Sequence, residues 1–184
     1  MEIVDMKTLG EEQLKQAGLI LTTELPLGWE NLDAAMEEIN DRLFKEEGNT
    51  FLAAVEKGAV LGFVGILPIY RGKCFELHPL AVRGDRQRRG IGAALVTAIE
   101  KEAAKQGGFT LWLGADDERT PGETSFADVD LYEDLPRKIA EFKPGGHQAA
   151  FYLKMGFTVV GVMPDANGRG KPDIFMAKKL MTMA

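Results

Sequence analysis

A chain of 184 residues is long enough to bury one core and short for two, so a single domain over residues 1–184 is expected. Hydrophobic residues at 45% and charged ones at 27% are ordinary globular values, and no apolar run approaches the roughly 20 residues of a membrane-crossing helix. The net charge of −6 is concentrated between Asp116 and Asp134, where eight acids stand against Arg119 alone; this stretch repels nucleic acid and is either a solvated surface or an attractor of polycations.

The N-terminus, Met1-Glu2-Ile3-Val4-Asp5, has neither the basic region nor the apolar core of a secretory signal, which favours the cytoplasm. Glu2 to Met6 reads as a first strand. A helix is expected from Gly10 to about Leu21 on the spacing of Leu14, Ala17 and Gly18, and a stronger one on Trp29, Leu32, Ala35, Met36, Ile39 and Leu43. Between them Thr22 to Gly28 is a Pro- and Gly-broken loop, with Trp29 at its exit as core or as an aromatic wall for an acceptor. Phe51 to Glu56 and Val60 to Ile69 flank a Lys57-Gly58 turn and form a hairpin pattern.

Cys74, the one cysteine, permits no intrachain disulfide, and its apolar neighbours suggest plain burial. It opens the next strand, Lys73 to Val82, which contains Glu76-Leu77-His78-Pro79-Leu80. Proline has no N–H to give a ladder, so Pro79 predicts an edge or a bulge that frees neighbouring backbone groups for a ligand.

Directly after it, Gln87-Arg88-Arg89-Gly90-Ile91-Gly92-Ala93 reads as a phosphate cradle. Two closely spaced glycines let the backbone approach an anion, and the N–H groups that follow open a helix at its positive end. A Walker loop would end in Gly-Lys-Ser or Gly-Lys-Thr, and a dinucleotide fingerprint would carry a third glycine where Leu95 stands; neither fits. The helix continues on Ile91, Leu95, Ile99 and Ala103 to Gln106, Gly107-Gly108 ends it, and a strand returns from Phe109 to Leu113. Such a strand, helix, strand unit implies two parallel strands with the cradle at their carboxyl end. Beyond the acidic loop, helices are expected over Leu131 to Phe142 and His147 to Met155, then a hairpin of Phe157 to Met163 with Asp173 to Lys179.

The order Gln-x-x-Gly-x-Gly, then Ala150-Phe151-Tyr152-Leu153-Lys154-Met155-Gly156-Phe157, resembles the GNAT superfamily of acetyl-CoA-dependent N-acetyltransferases. Glu76 to Leu80, Leu113 to Asp117, Asp130 to Glu133, Pro164 to Gly168 and Lys171 to Ile174 resemble the aminoglycoside 6′-N-acetyltransferases of the chromosomal, enterococcal type. The likeness covers about Val60 to Leu180. His147 stands where many GNAT proteins have Asn, and the cradle is closer to the general superfamily pattern than to that subgroup.

The resemblance implies a GNAT fold of α/β (α+β) class, whose central mixed, mostly antiparallel sheet is splayed at the acetyl-CoA strand and flanked by helices. It implies acetyl-CoA as cosubstrate, a polycationic aminoglycoside as acceptor, and a homodimer. Leu80, Val82, the cradle residues Gln87, Arg88, Arg89, Gly90, Ile91, Gly92 and Ala93, and His147 would then contact the cofactor. Glu76 is the expected base, the Leu80 N–H the donor to the thioester oxygen, and Tyr152 the acid for the leaving thiol. His78 either positions the amine or is simply held in place, and Trp29, Glu76, His78, Asp116 and Asp117 would meet the acceptor. With two histidines and one cysteine no zinc set is expected, so transfer would be direct. Rival readings are a GNAT enzyme for a polyamine, peptide or metabolite amine, and a coenzyme A-binding module without turnover.

Overall fold

A computed structural model describes residues 1–181; the side chains of Leu43 and Phe44 lie outside the described residues. The chain forms two compact units, Met1–Phe109 with residues 180–181, and Thr110–Lys179.

In the first unit β1 (Glu2–Asp5), β2 (Thr50–Glu56), β3 (Ala59–Ile69) and β4 (Cys74–Val82) pair in that order, each antiparallel to the next. β1 stops at Asp5 because the Asp5 carboxylate accepts the Lys7 N–H and starts a 3-10 turn. Helices α1 (Glu11–Glu24) and α2 (Leu32–Asn40) follow the expected spacing. α1 runs three residues beyond Leu21, with the Thr22 and Thr23 hydroxyls bonded back to the Leu19 carbonyl. Asn31 caps α2 by accepting the Ala34 N–H.

Leu14, Ala17, Ile20 and Leu21 of α1 and Ala35 and Ile39 of α2 join Phe51, Ala53, Val60 and Phe63 of the strands in one core. Helix α3 (Ile91–Lys105) buries Ile91, Leu95, Val96, Ile99 and Ala103 and packs on β2, β3 and β4. Its apolar stripe has the 3.6-residue period that a helix lying on a sheet requires.

The expected irregularity at Pro79 is present. Val64 faces Leu80 and Ile66 faces Leu77, so the His78-Pro79 pair opposes Gly65 alone: a bulge with its extra residue on β4. Gly65 is what admits it. A Cβ there would lie 2.4 Å from the His78 carbonyl oxygen and 2.4 Å from the Phe51 ring, and one on Gly62 would lie 2.6 Å from the Ala81 oxygen.

In the second unit β5 (Thr110–Asp116), β6 (Thr158–Met163) and β7 (Asp173–Lys179) pair antiparallel, with β7 in the middle. β5 starts after Phe109 and continues to Asp116, past the expected end at Leu113, because Leu111, Leu113 and Ala115 keep the alternation of a half-buried strand. The helix expected from Leu131 shrinks to α4 (Leu135–Ala140). Proline tolerates only the first turn of a helix, so Pro136 fixes the start, directly after a left-handed Asp134. The last helix is α5 (Ala149–Lys154). No helix among the described residues is long and apolar enough to cross a membrane.

Gly65→Ala is expected to cost about 3 kcal/mol through overpacking against a carbonyl and a ring. Gly58→Ala, at φ 80 with nothing within 4 Å, is expected to cost about 1 kcal/mol from backbone strain alone. Urea unfolding of both variants checks this, and equal losses would contradict the close approach at the bulge.

Candidate active site

Along β4 burial alternates: Phe75, Leu77, Pro79 and Ala81 are buried, while Glu76, His78, Leu80 and Val82 are half-buried. All four β4 residues singled out in the sequence therefore share the more accessible positions, and they straddle the bulge. Glu76 is half-buried, and among the described residues no hydrogen bond or ion pair engages its carboxylate.

His78 is held. Its Nε2 lies 3.5 Å from Oε1 of Glu38 on α2, and its ring centroid is 5.7 Å from that of Trp29. Glu38 also accepts from Arg42 at 3.1 Å. The hydrogen bond from His78 holds the Glu38 carboxyl below its ordinary value, with Arg42 assisting against the opposing effect of burial. Trp29 is partly buried on the core and packs on His78. Glu38 is a neighbour that sequence reasoning missed: nothing distinguishes it from the other acids of an amphipathic helix.

From β4 the chain turns through a 3-10 segment, Gly84–Arg86, into the cradle, where Arg88 (φ 57) and Gly90 (φ 83) are both left-handed. Gly90 is the N-cap of α3 and supplies no side-chain acceptor, so the first N–H groups, those of Ile91, Gly92 and Ala93, face outward uncapped. The first helical bond is Ala94 N–H to the Gly90 carbonyl. Arg88 and Arg89 are exposed beside it. Three amides at the positive end of a 15-residue helix, flanked by two guanidiniums, suit a diphosphate. The Gln87 side-chain N–H groups donate to the Val82 carbonyl at 2.9 Å and to Glu24 at 2.8 Å.

In the second unit Asp116 ends β5 exposed, with its carboxylate accepting from Asn167. Asp117 does not present a free carboxylate to a cationic acceptor. It is 1% exposed, and its oxygens accept the Glu123 N–H at 2.9 Å and the Thr124 N–H at 2.7 Å, pinning the loop between them. Burial opposes its ionisation, but these N–H groups, the Thr124 hydroxyl and nearby His147 outweigh burial and hold the carboxyl below its ordinary value. His147 is buried and has both ring nitrogens engaged, Nε2 with the Asp116 carbonyl at 3.0 Å and Nδ1 with the Ala149 N–H at 3.2 Å. That pairing makes Nε2 the protonated nitrogen and explains why α5 starts after His147. Tyr152 is buried among Phe151 and Phe157, with ring centroids 5.1 and 5.5 Å away, and burial raises its phenol above the ordinary value. The phenol is thus fully protonated near neutral pH.

Residues 17–127 match the acetyltransferase (GNAT) family. The chain belongs to that family. Its mixed α/β elements, with mostly antiparallel strands, are those of the GNAT fold. Among solved structures, an aminoglycoside 6′-N-acetyltransferase complexed with coenzyme A is 35% identical, with a TM-score of 0.91 over 100% of this chain and 99% of that one. The aminoglycoside 6′-N-acetyltransferase from Enterococcus faecium is also 35% identical, with a TM-score of 0.89 over the same shares. An aminoglycoside 6′-acetyltransferase type Ii is 30% identical, with a TM-score of 0.76 and full coverage of both chains. Comparison with curated protein sequences gives no match.

Asp117→Asn is expected to cost about 2 kcal/mol at neutral pH by weakening charge-assisted hydrogen bonds. Because folding lowers the Asp117 value, its contribution is present above the unfolded value of about 4 and is lost as pH falls below it. Urea unfolding across pH should therefore show a flatter acid limb in the variant; an unchanged limb would place the loop's stability elsewhere.

Proposed function

We propose that this GNAT protein is a single-domain aminoglycoside 6′-N-acetyltransferase that takes acetyl-CoA as cosubstrate. The observation that carries the reading is the full-length likeness, at 35% identity, to an enzyme of that activity complexed with coenzyme A. The uncapped start of α3, with Arg88 and Arg89 beside it, fits a diphosphate and supports the cofactor. An aminoglycoside carries several ammonium groups, and the acidic second unit supports that acceptor class. Besides exposed Asp116, it contains a cavity of about 480 Å³ lined by Asp128, Asp130, Asp165 and Tyr132, with Arg169 as a counter-charge.

Acetyl-CoA supplies an activated acyl group as its thioester. The N–H groups of Ile91, Gly92 and Ala93 and the Arg88 and Arg89 side chains would hold the diphosphate, and Val82, at the end of β4, would meet the cofactor arm. Glu76 takes a proton from the substrate ammonium, directly or through water, so that a neutral amine attacks the acyl carbon. The Leu80 N–H donates to the thioester oxygen as charge builds there. As the carbon–nitrogen bond forms and the carbon–sulfur bond breaks, Tyr152 gives its proton to the departing sulfur and is reprotonated by the surplus proton of the nitrogen, while Glu76 releases its own to solvent. His78, fixed by Glu38 and Trp29, orients the amine or its water. His147 serves by holding the turn after the acidic loop, and Asp117 by shaping that loop. Acetyl-CoA use supports a cytoplasmic setting. Exposed Val160 (58%) and Met163 (51%) on edge strand β6 support a homodimer.

Thiol release from acetyl-CoA tests the function, comparing an aminoglycoside that bears a 6′-amine with its 6′-hydroxyl counterpart. Release with the amine alone is expected; release with both would misassign the acceptor atom, and release with neither would move the acceptor to another amine. In Glu76→Gln turnover should fall by about 100-fold, most steeply at low pH where the ammonium is hardest to deprotonate. A pH–rate profile parallel to wild type would remove Glu76 from proton transfer.

A further inference from the structure

Glu24 closes α1, at the helix end where the backbone dipole disfavours an acid. It also stands beside the approach to a cradle that suits a diphosphate, where a carboxylate repels the ligand. Neither of these two effects favours an acid here, and the hydrogen bonds do. Its Oε1 accepts the Gly84 N–H at 2.8 Å, and its Oε2 accepts from the Gln87 side chain at 2.8 Å. Gln87 in turn donates to the carbonyl of Val82, the last residue of β4, at 2.9 Å.

One carboxylate thus links three parts of the first unit: the end of α1, the end of β4 and the loop into α3. Gly84 is suited to it, because a Cβ there would come to 3.0 Å from Oε1. The loop it ties has to leave a strand, make a 3-10 turn, place Arg88 in the left-handed region and start a helix at Gly90. Left-handed backbone at a non-glycine residue persists only where neighbours enforce it.

We propose that Glu24 is a positioning residue for the cofactor cradle, holding the Gly84–Gly90 loop in its binding conformation before the ligand arrives. The proposal rests on the coenzyme A reading above. Preorganisation of this kind appears as affinity, because the loop is not ordered at the expense of binding.

The test uses the whole protein and coenzyme A itself. Isothermal calorimetry on wild type, Glu24→Gln and Glu24→Ala should show affinity falling about tenfold in the alanine variant, as loss of two hydrogen bonds implies. The glutamine variant, which keeps one acceptor oxygen, should fall by about threefold. If charge were the main effect, both variants would bind more tightly than wild type, and that result overturns the proposal. Amide hydrogen exchange in the ligand-free protein supplies an independent reading. Residues 84–90 should exchange faster in Glu24→Ala while the β2 and β3 amides stay as in wild type, and unchanged exchange at 84–90 overturns the brace whatever the calorimetry gives. Failure of wild type to bind coenzyme A would instead contradict the cofactor reading, with the exchange comparison still deciding the role of Glu24.

Discussion

At no other glycine of the first unit would a Cβ meet its neighbours as closely as at Gly65, where β4 approaches β3. The His78 carbonyl sits where the first atom of any side chain at position 65 would be, and the Phe51 ring closes the remaining space. That contact exists because two residues of β4 oppose one of β3, and the mismatch falls at the one residue of the strand with no N–H to lose. Glu76 and Leu80 lie on either side of it. The segment that follows has a second local requirement, left-handed backbone at Arg88 and Gly90, and from there α3 begins without a side-chain cap. Bulge, turn and open helix end are consecutive, so a run of about twenty residues contains most of what the first unit offers a cofactor.

Charge is distributed in keeping with that division. Exposed arginines accompany the open helix end in the first unit, and the second holds the acidic stretch. Yet not every acid there is available to a substrate. Asp117 is satisfied by two backbone N–H groups and shapes the loop, whereas Asp116 and the acids around the cavity remain accessible. A buried carboxylate with fixed donors is a structural element, and an exposed one is a source of field.

Much of this was legible in the sequence, for physical reasons that differ from place to place. The cradle could be read because glycine spacing and a following apolar helix leave few alternatives, and the bulge because proline removes a donor. Strand and helix positions came within a few residues where the burial pattern is regular, as in the unbroken apolar run of β3, the alternation of β4 and the helical stripe of α3. The reading failed where a single local residue overrides the pattern. Pro136 delays α4, and the His147 ring takes the first N–H of α5. Glu24 and Glu38 were invisible for another reason. Their partners lie far off in the chain, Gly84 and Gln87 for one and His78 for the other, and an acid on a helix looks the same whether it faces water or a loop. Asp117 was assigned to the acceptor because backbone donors leave no mark in a sequence.

We propose that the bulged strand and the uncapped start of α3 together receive the cofactor. Titrating isotopically labelled protein with coenzyme A and following backbone amide resonances tests it directly. Saturable shifts are expected at Leu80, Val82 and Gly90 to Ala93, with residues 128–132 nearly unmoved. Shifts centred on residues 128–132, or none at the start of α3, would contradict it.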